Sequence, residues 1–197
     1  MLTLVRQSLV VTLLLAALLC GAYPVLVTGA AQALLPGKAN GSPVMVDGRV
    51  TGSDLIGQHF TGAGYFHGRP SAAGEDGYDA SASGGSNLGP TSRTLAEAMQ
   101  ARADALRAEN PDWKAPLPPD MVTASASGLD PHVSPQGAAM QVARVAAARG
   151  LPIKSVARLV EEHVEGPQLG LFGEPHVNVL RLNLALDALA GGRAEGN

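Results

Sequence analysis

Residues 7–37 carry no charged side chain, the longest such run in the chain. The run is most uniformly apolar from Leu9 to Leu19 and stays apolar through Tyr23, Pro24 and Val27. A helix over residues 8–28 rises about 30 Å, enough to cross the hydrocarbon core of a bilayer. Tyr23 and Pro24 stand towards its far end, where an interfacial aromatic and a proline are both tolerated. The pattern therefore predicts a short N-terminus (residues 1–7), a transmembrane helix (residues 8–30) and a soluble domain (residues 31–197).

Beyond the run the periodicity shortens and breaks. Asp47-Gly48 between apolar residues predicts a β-hairpin over residues 43–50. Residues 53–58 read as a short helical turn. Residues 61–90 show neither helical nor strand period and are rich in Gly, Ser, Ala and Asp; a loop that long is functional or disordered. Thr91 or Ser92 can cap a helix through Leu95, Met99, Ala103 and Leu106, and Pro111 stops it after Asn110. Residues 120–123 read as a strand. Ser134 followed by Pro135 is a strong helix start, and that helix ends at Gly150. Pro152 opens another helix with Val156, Leu159, Val160 and His163 on one face. Residues 175–179 read as a strand and 183–190 as a closing helix. Short strands and helices mixed without a repeat predict an α+β domain rather than a doubly wound sheet.

Charge then orients the span. Arg6 and the amino terminus precede it and Lys38 follows it, which favours a cytoplasmic N-terminus and an extracytoplasmic domain at the inner membrane. A cleaved leader is the alternative, with a cut at Ala31-Gln32-Ala33, but that site lies far beyond Leu19. A lipoprotein signal wants a small residue where Leu19 precedes Cys20. Cys20 is the only cysteine, so no disulfide forms within the chain. Ala17 and Gly21, four apart, offer the small-residue spacing on which membrane helices pack.

Composition narrows the function classes. Without Arg6 the remainder carries 13 basic and 17 acidic residues, with no basic run or aromatic cluster, which argues against nucleic acid. Only 4% of residues are aromatic, so the core is built from Leu, Val and Ala. No phosphate loop ending in Gly-Lys-Ser or Gly-Lys-Thr is present, and Gly62-Ala63-Gly64 lacks the third glycine of the dinucleotide pattern. The nucleophile patterns Gly-x-Ser-x-Gly and Ser-x-x-Lys are missing, as is the phosphorylated Asp-Lys-Thr-Gly of P-type pumps. His59, His67, His132, His163 and His176 have no metal-ligand spacing. We assign no catalytic residue and no metal site.

Two blocks remain. One comprises Gly84, Gly85, Ser86, Asn87, Leu88, Gly89 and Pro90. Its small residues expose backbone amides to an anion or a partner's loop, or simply make a tight turn into the next helix. The other runs from Asp120 to Pro135 and includes Asp130, Pro131, His132 and Ser134, which read as a turn and a helix cap. These residues are candidates for a partner interface or for loop geometry.

Both blocks resemble those of the C subunit of the bacterial Kdp-type potassium-transporting ATPase. The resemblance extends to Tyr65-Phe66-His67-Gly68-Arg69-Pro70-Ser71, to Val142-Ala143-Arg144-Val145-Ala146, to residues 177–187, and to the single N-terminal span. Ser92 stands where that family commonly has Asn, and Ala126 where Gly is common. The resemblance implies a non-catalytic subunit of a high-affinity potassium-uptake complex. Its partners would be a channel-like potassium-binding subunit, a P-type ATPase subunit and the lipid bilayer. It would assemble or stabilise them and act as a catalytic chaperone raising the pump subunit's affinity for ATP. ATP and potassium belong to the complex; no cofactor is assigned to this chain alone. Placing the domain outside while ATP is inside makes any effect on ATP a coupling through the assembly. The competing class is a free-standing, membrane-anchored envelope protein, a binding module before a hydrolase.

The length of the uncharged run carries one expectation directly. Residues 1–37 should be retained in the mature protein, which intact-mass measurement on membrane-extracted protein decides. A mature start near Leu34 would remove the anchor.

Overall fold

The structure, a computed structural model, describes residues 1–191 and divides into two compact units, residues 1–51 and the remainder from Gly52. The first unit opens with a helical run over Leu2–Leu34, about 50 Å long and without a buried residue. It is the one stretch among the described residues long and apolar enough to cross a membrane. It is not uniformly α-helical. Helix α1 (Leu2–Ala16) passes through a π-helical turn (Ala17–Ala22) into α2 (Tyr23–Leu34). Pro24 supplies the reason: it lacks an amide proton, and in an α-helix its ring would press on the Cys20 carbonyl. The wider turn relieves that clash, and the Tyr23 amide donates five residues back, to the Leu18 carbonyl. A single turn, α3 (Pro36–Ala39), precedes the hairpin of β1 (Pro43–Val46) and β2 (Arg49–Ser53). Asp47 and Gly48 at its tip both have positive φ, 50° and 75°, as a tight two-residue turn of this hand requires.

The second unit is mixed helix and strand, as the pattern predicted. Helix α4 (Arg93–Glu109) is capped by Ser92, whose Oγ accepts from the Leu95 amide. Helix α6 (Pro135–Arg149) is capped by Ser134, whose Oγ accepts from the Gly137 amide at 2.9 Å. Gly150, at φ 61°, ends α6, and the Leu151 amide returns to the Ala146 carbonyl at 2.9 Å. Helix α7 (Ile153–Glu162) then packs against α6 and buries Val156 and Val160. A three-stranded antiparallel sheet places β5 (His176–Asn178) between β3 (His132–Val133) and β4 (Val164–Glu165). The chain closes with α8 (Val179–Gly191). The core gathers Phe66, Met121, Val133, Val145, Val156, Val177, Leu182 and Leu186, aliphatic apart from one phenylalanine.

Three local expectations are corrected. Residues 53–58 form a bridged turn, not a helical one: Ser53 Oγ accepts from the Leu55 amide, and the Gly57 amide leaves for the Leu129 carbonyl at 2.8 Å. Residues 120–123 are not a strand. Pro119 starts a single helical turn, α5 (Pro119–Val122), and the Thr123 amide and hydroxyl both return to the Pro119 carbonyl. The closing helix begins at Val179 rather than Asn183, directly after β5. Residues 192–197 of the expected soluble domain lie outside the described residues.

The unpatterned segment is well defined. No helix or strand lies between Ile56 and Arg93, yet two buried side-chain amides grip its middle. Asn183, on α8, accepts from the Phe66 amide at 2.9 Å and donates to the Phe66 carbonyl at 3.0 Å. Gln141, on α6, accepts from the His67 amide at 2.8 Å and donates to the His67 carbonyl at 3.1 Å. Each carboxamide mimics a neighbouring peptide, satisfying both backbone groups of one residue where no strand is available. Both side chains are 1% exposed and Phe66 between the helices is fully buried.

Asn183→Leu keeps the branched shape but orphans the buried Phe66 amide and carbonyl. It should cost about 2–5 kcal/mol, counting two unsatisfied groups. Urea unfolding of the full chain checks this; an unchanged midpoint would mean that the clamp contributes nothing.

Candidate functional site

The two glycine-containing blocks, about 40 residues apart in sequence, meet in the fold. The Gly84 amide donates to the Ser127 carbonyl at 2.8 Å, and Ser83 Oγ donates to the same oxygen at 3.1 Å. A Cβ at Gly85 would lie 3.0 Å from the Ala126 carbonyl oxygen. Gly128 adopts φ 67°, and a Cβ there would meet the Gly84 carbonyl and Ala73 inside 3 Å. Close backbone approach, the structural alternative to an anion cradle, therefore accounts for Gly85 and Gly128, whereas a Cβ at Gly84 would meet nothing nearer than 3.9 Å and one at Gly89 nothing within 4 Å. Ser71 ties a third strand of loop to this layer: its Oγ donates to the Gly128 carbonyl at 2.6 Å and accepts from the Ala73 and Tyr78 amides. Beyond Gly85 the block turns outward. Ser86, Asn87, Leu88, Gly89 and Pro90 are exposed, and Asn87 holds a left-handed backbone at φ 51°.

The Asp130 turn is built differently. Pro131 is buried and its carbonyl accepts from the Val179 amide at 2.9 Å. Asp130 Oδ1 accepts from the His132 amide at 3.0 Å and faces the His132 ring Nδ1 at 3.2 Å, while Oδ2 takes Arg69 at 2.9 Å. Burial works to raise the Asp130 carboxyl, but these bonds from His132 and Arg69 outweigh it and hold the group below the usual carboxylate range. The His132 ring meets His176 edge to face, centroids 4.5 Å apart. Asp120, on α5, accepts from the Ser134 amide at 2.6 Å and its hydroxyl at 2.9 Å, so Ser134 joins two elements besides capping α6. Asp130, His132, Ser134 and Arg69 line an open cavity of about 410 Å³. Ala17 and Gly21 sit in the π-helical turn of the other unit, with open space around Gly21.

Arg69 also lines a second cavity, of about 380 Å³, with His59, His67, Tyr78, Arg102 and Glu109. Tyr78 spans it, its hydroxyl donating to the Arg69 carbonyl at 2.7 Å. Burial, then the Asp130 carboxylate, push the Tyr78 phenol up to about 12, so it stays a donor. His67 is held below its ordinary value, first by burial and then by Arg144, against the Gly62 carbonyl at 3.1 Å and Glu109 at 3.5 Å.

Sequence reasoning missed the residues that hold this surface. Arg144 donates to the carbonyls of Ala63 and Tyr65, to Asn110 and to Gln141, joining α6 to the end of α4 and to the loop. Arg149 covers the Tyr65 ring at 4.3 Å, donates to the Gly64 carbonyl and pairs with Asp187 at 2.7 Å. One signal was available. Gln141 interrupts the buried stripe of Ala138, Val142 and Val145, and Asn183 that of Leu182 and Leu186; a polar residue inside an apolar stripe has a partner to serve.

Comparison with known proteins gives a consistent result. The family model described as K+-transporting ATPase, c chain (KdpC), matches residues 5–188. The potassium-transporting ATPase KdpC subunit of Polaromonas naphthalenivorans is 56% identical over 191 residues, 97% of each chain. That of Sorangium cellulosum is 59% identical over 187 residues, 95% of this chain and 98% of its own. That of Gemmatimonas aurantiaca is 58% identical over 185 residues, 94% of this chain and 92% of its own.

The His67 environment sets a pH dependence. Its folded value lies below the ordinary 6.5, so the unfolded chain takes the proton first as pH falls. Stability from the neutral ring is complete above about pH 6.5 and is lost as pH drops through the lower folded value. Urea midpoints of the full chain should therefore fall between about pH 7 and pH 5, and His67→Gln should flatten that slope. Equal slopes for both proteins would remove His67 as the source.

Proposed function

Because the chain belongs to the family of K+-transporting ATPase c chains, accessory rather than catalytic subunits, we propose that it assembles and steadies the other subunits of that ATPase. The partners in this reading are a channel-like potassium-binding subunit and a P-type ATPase subunit. The observation that carries it is the loop surface just described. Its exposed part, residues 86–90, grows from a layer in which three separate loop segments are cross-tied through Gly84, Ser127, Gly128 and Ser71. A surface held by its own backbone presents fixed groups to a partner and loses little entropy on docking.

The long apolar helix anchors the chain as a single span, N-terminus cytoplasmic and domain outside the inner membrane. Ala17 and Gly21 face a membrane-embedded partner, where the absence of bulk permits close approach. Asn87 and His132 supply hydrogen bonds across the outer interface. Raised ATP affinity in the pump subunit then follows from stabilising the assembled conformation that binds ATP better, without nucleotide touching this chain.

Copurification tests the reading. The wild-type chain should recover a channel-like and an ATPase-like protein from detergent-solubilised membranes. Asn87→Ala with His132→Ala should lower the recovered complex several-fold, or raise the ATP concentration needed for half-maximal potassium-dependent hydrolysis. Recovery of the wild-type chain alone would favour the free-standing envelope protein, and ATP turnover by the purified chain alone would overturn the accessory role.

A further inference from the structure

The β4–β5 connection ends in an ordered apolar tip that the fold itself does not use. Leu169, Leu171 and Phe172 are 94%, 77% and 61% exposed. The tip is nevertheless tightly built. The Gln168 amide donates to the Phe172 carbonyl at 2.8 Å and the Phe172 amide returns to Gln168 at 3.0 Å. The Gly170 amide closes onto Pro167 and the Leu171 amide onto Gln168. Leu169 adopts a left-handed backbone, φ 56°, which a leucine rarely takes. Its stem is pinned by the pairings Val164↔Val177 and Glu165↔His176. A hydrogen-bonded turn with one strained residue, showing three large apolar side chains to water, calls for a partner.

Charge selects among occupants. The chain carries no Lys or Arg between Arg158 and Arg181. Glu162 is paired with Arg158 at 2.8 Å, but Glu165 and Glu174, which flank the tip in sequence, are exposed, as is Glu161. An acidic collar is repelled by the anionic headgroups of a membrane surface. A second copy of this chain would bring the same collar, again repulsive. An apolar recess with basic residues at its rim matches both the tip and the collar.

We propose that the tip of residues 168–172 is a docking plug, inserting Leu169, Leu171 and Phe172 into an apolar, basic-rimmed recess on another subunit of the ATPase. The plug rests on the accessory-subunit reading and adds where one contact is made. Its three side chains act as the buried anchors of that contact, and Glu165 and Glu174 set its approach.

Photo-crosslinking in membranes tests it, with Phe172 replaced by p-benzoylphenylalanine in the full chain. Illumination should give an adduct with another subunit of the complex, identified by mass spectrometry. An adduct with lipid alone, an adduct with a second copy of this chain, or no adduct would each overturn the plug. The pair Leu169→Ser and Phe172→Ser should lower complex recovery about tenfold, as loss of interface anchors does. Because both side chains are already exposed, thermal unfolding of the full chain should be unchanged. Equal recovery with this pair, where the wild-type chain brings down the complex, would sink the plug alone; failure of the wild-type chain to bring it down would instead sink the accessory-subunit reading.

Discussion

The second unit depends on two side-chain amides that act as surrogate backbone. About 35 residues separate the isolated bridge at Ile56 from helix α4, and they contain no ladder of their own. Backbone amides and carbonyls in such a segment face water or cost free energy. Asn183 and Gln141 resolve this where Phe66 enters the core, pairing both groups of Phe66 and of His67. Phe66 can then be fully buried, with Phe60 packed partly against the same core, and the segment on either side is fixed relative to α6 and α8. Arg144 reinforces the arrangement, since its guanidinium bonds Gln141 while reaching the Ala63 and Tyr65 carbonyls. Removing one amide would therefore disturb loops far from the side chain itself.

Local chemistry was legible wherever a residue type forces a conformation. Ser92, Ser134, Gly150 and the Asp47-Gly48 turn all appear where their backbone requirements placed them. The apolar helix was equally plain, although Pro24 alters its hydrogen bonding over the preceding turn. The errors came where tertiary partners decide. Residues 120–123 carry strand-forming types but have no strand beside them; Pro119 and Thr123 close a helical turn instead, and Asp120 is committed to Ser134. The strands His132–Val133 and Val164–Glu165 are two residues each and exist only because β5 lies between them. No period could announce them.

The candidate surface was legible as two blocks and not as one layer. Glycine content marks where backbone comes close, but not which backbone it approaches. Gly128 meets Gly84 and Ala73, positions that are 44 and 55 residues away, and only the fold reveals the match. The same point explains Arg69, quoted in sequence for its resemblance and found to bridge the Asp130 turn and the cavity beneath Tyr78. Charged residues here mostly hold loops: Arg144 and Arg149 spend their donors on carbonyls, and Arg69 on a carboxylate. These three cations thereby hold the loop surface in shape.

That economy bears on how such a subunit could influence ATP use. A ligand changes a conformational equilibrium only through a difference in its contacts with the two states. In the proposed topology the loop surface and the nucleotide lie on opposite sides of the membrane, so the difference must be carried by whatever the surface and the helix both touch. The loop layer suits that task because its shape is set internally, by Ser71, Gly84, Ser127 and Gly128, and does not have to be induced by the partner. A rigid surface favours whichever partner conformation fits it and penalises the other. The π-helical turn at Ala17–Ala22 gives the membrane segment a fixed irregularity of its own, placed where its small residues lie. Under the proposed reading, two preformed surfaces on one chain, each fitting one conformation of its partners, would suffice to couple the outer face of the complex to its ATP site.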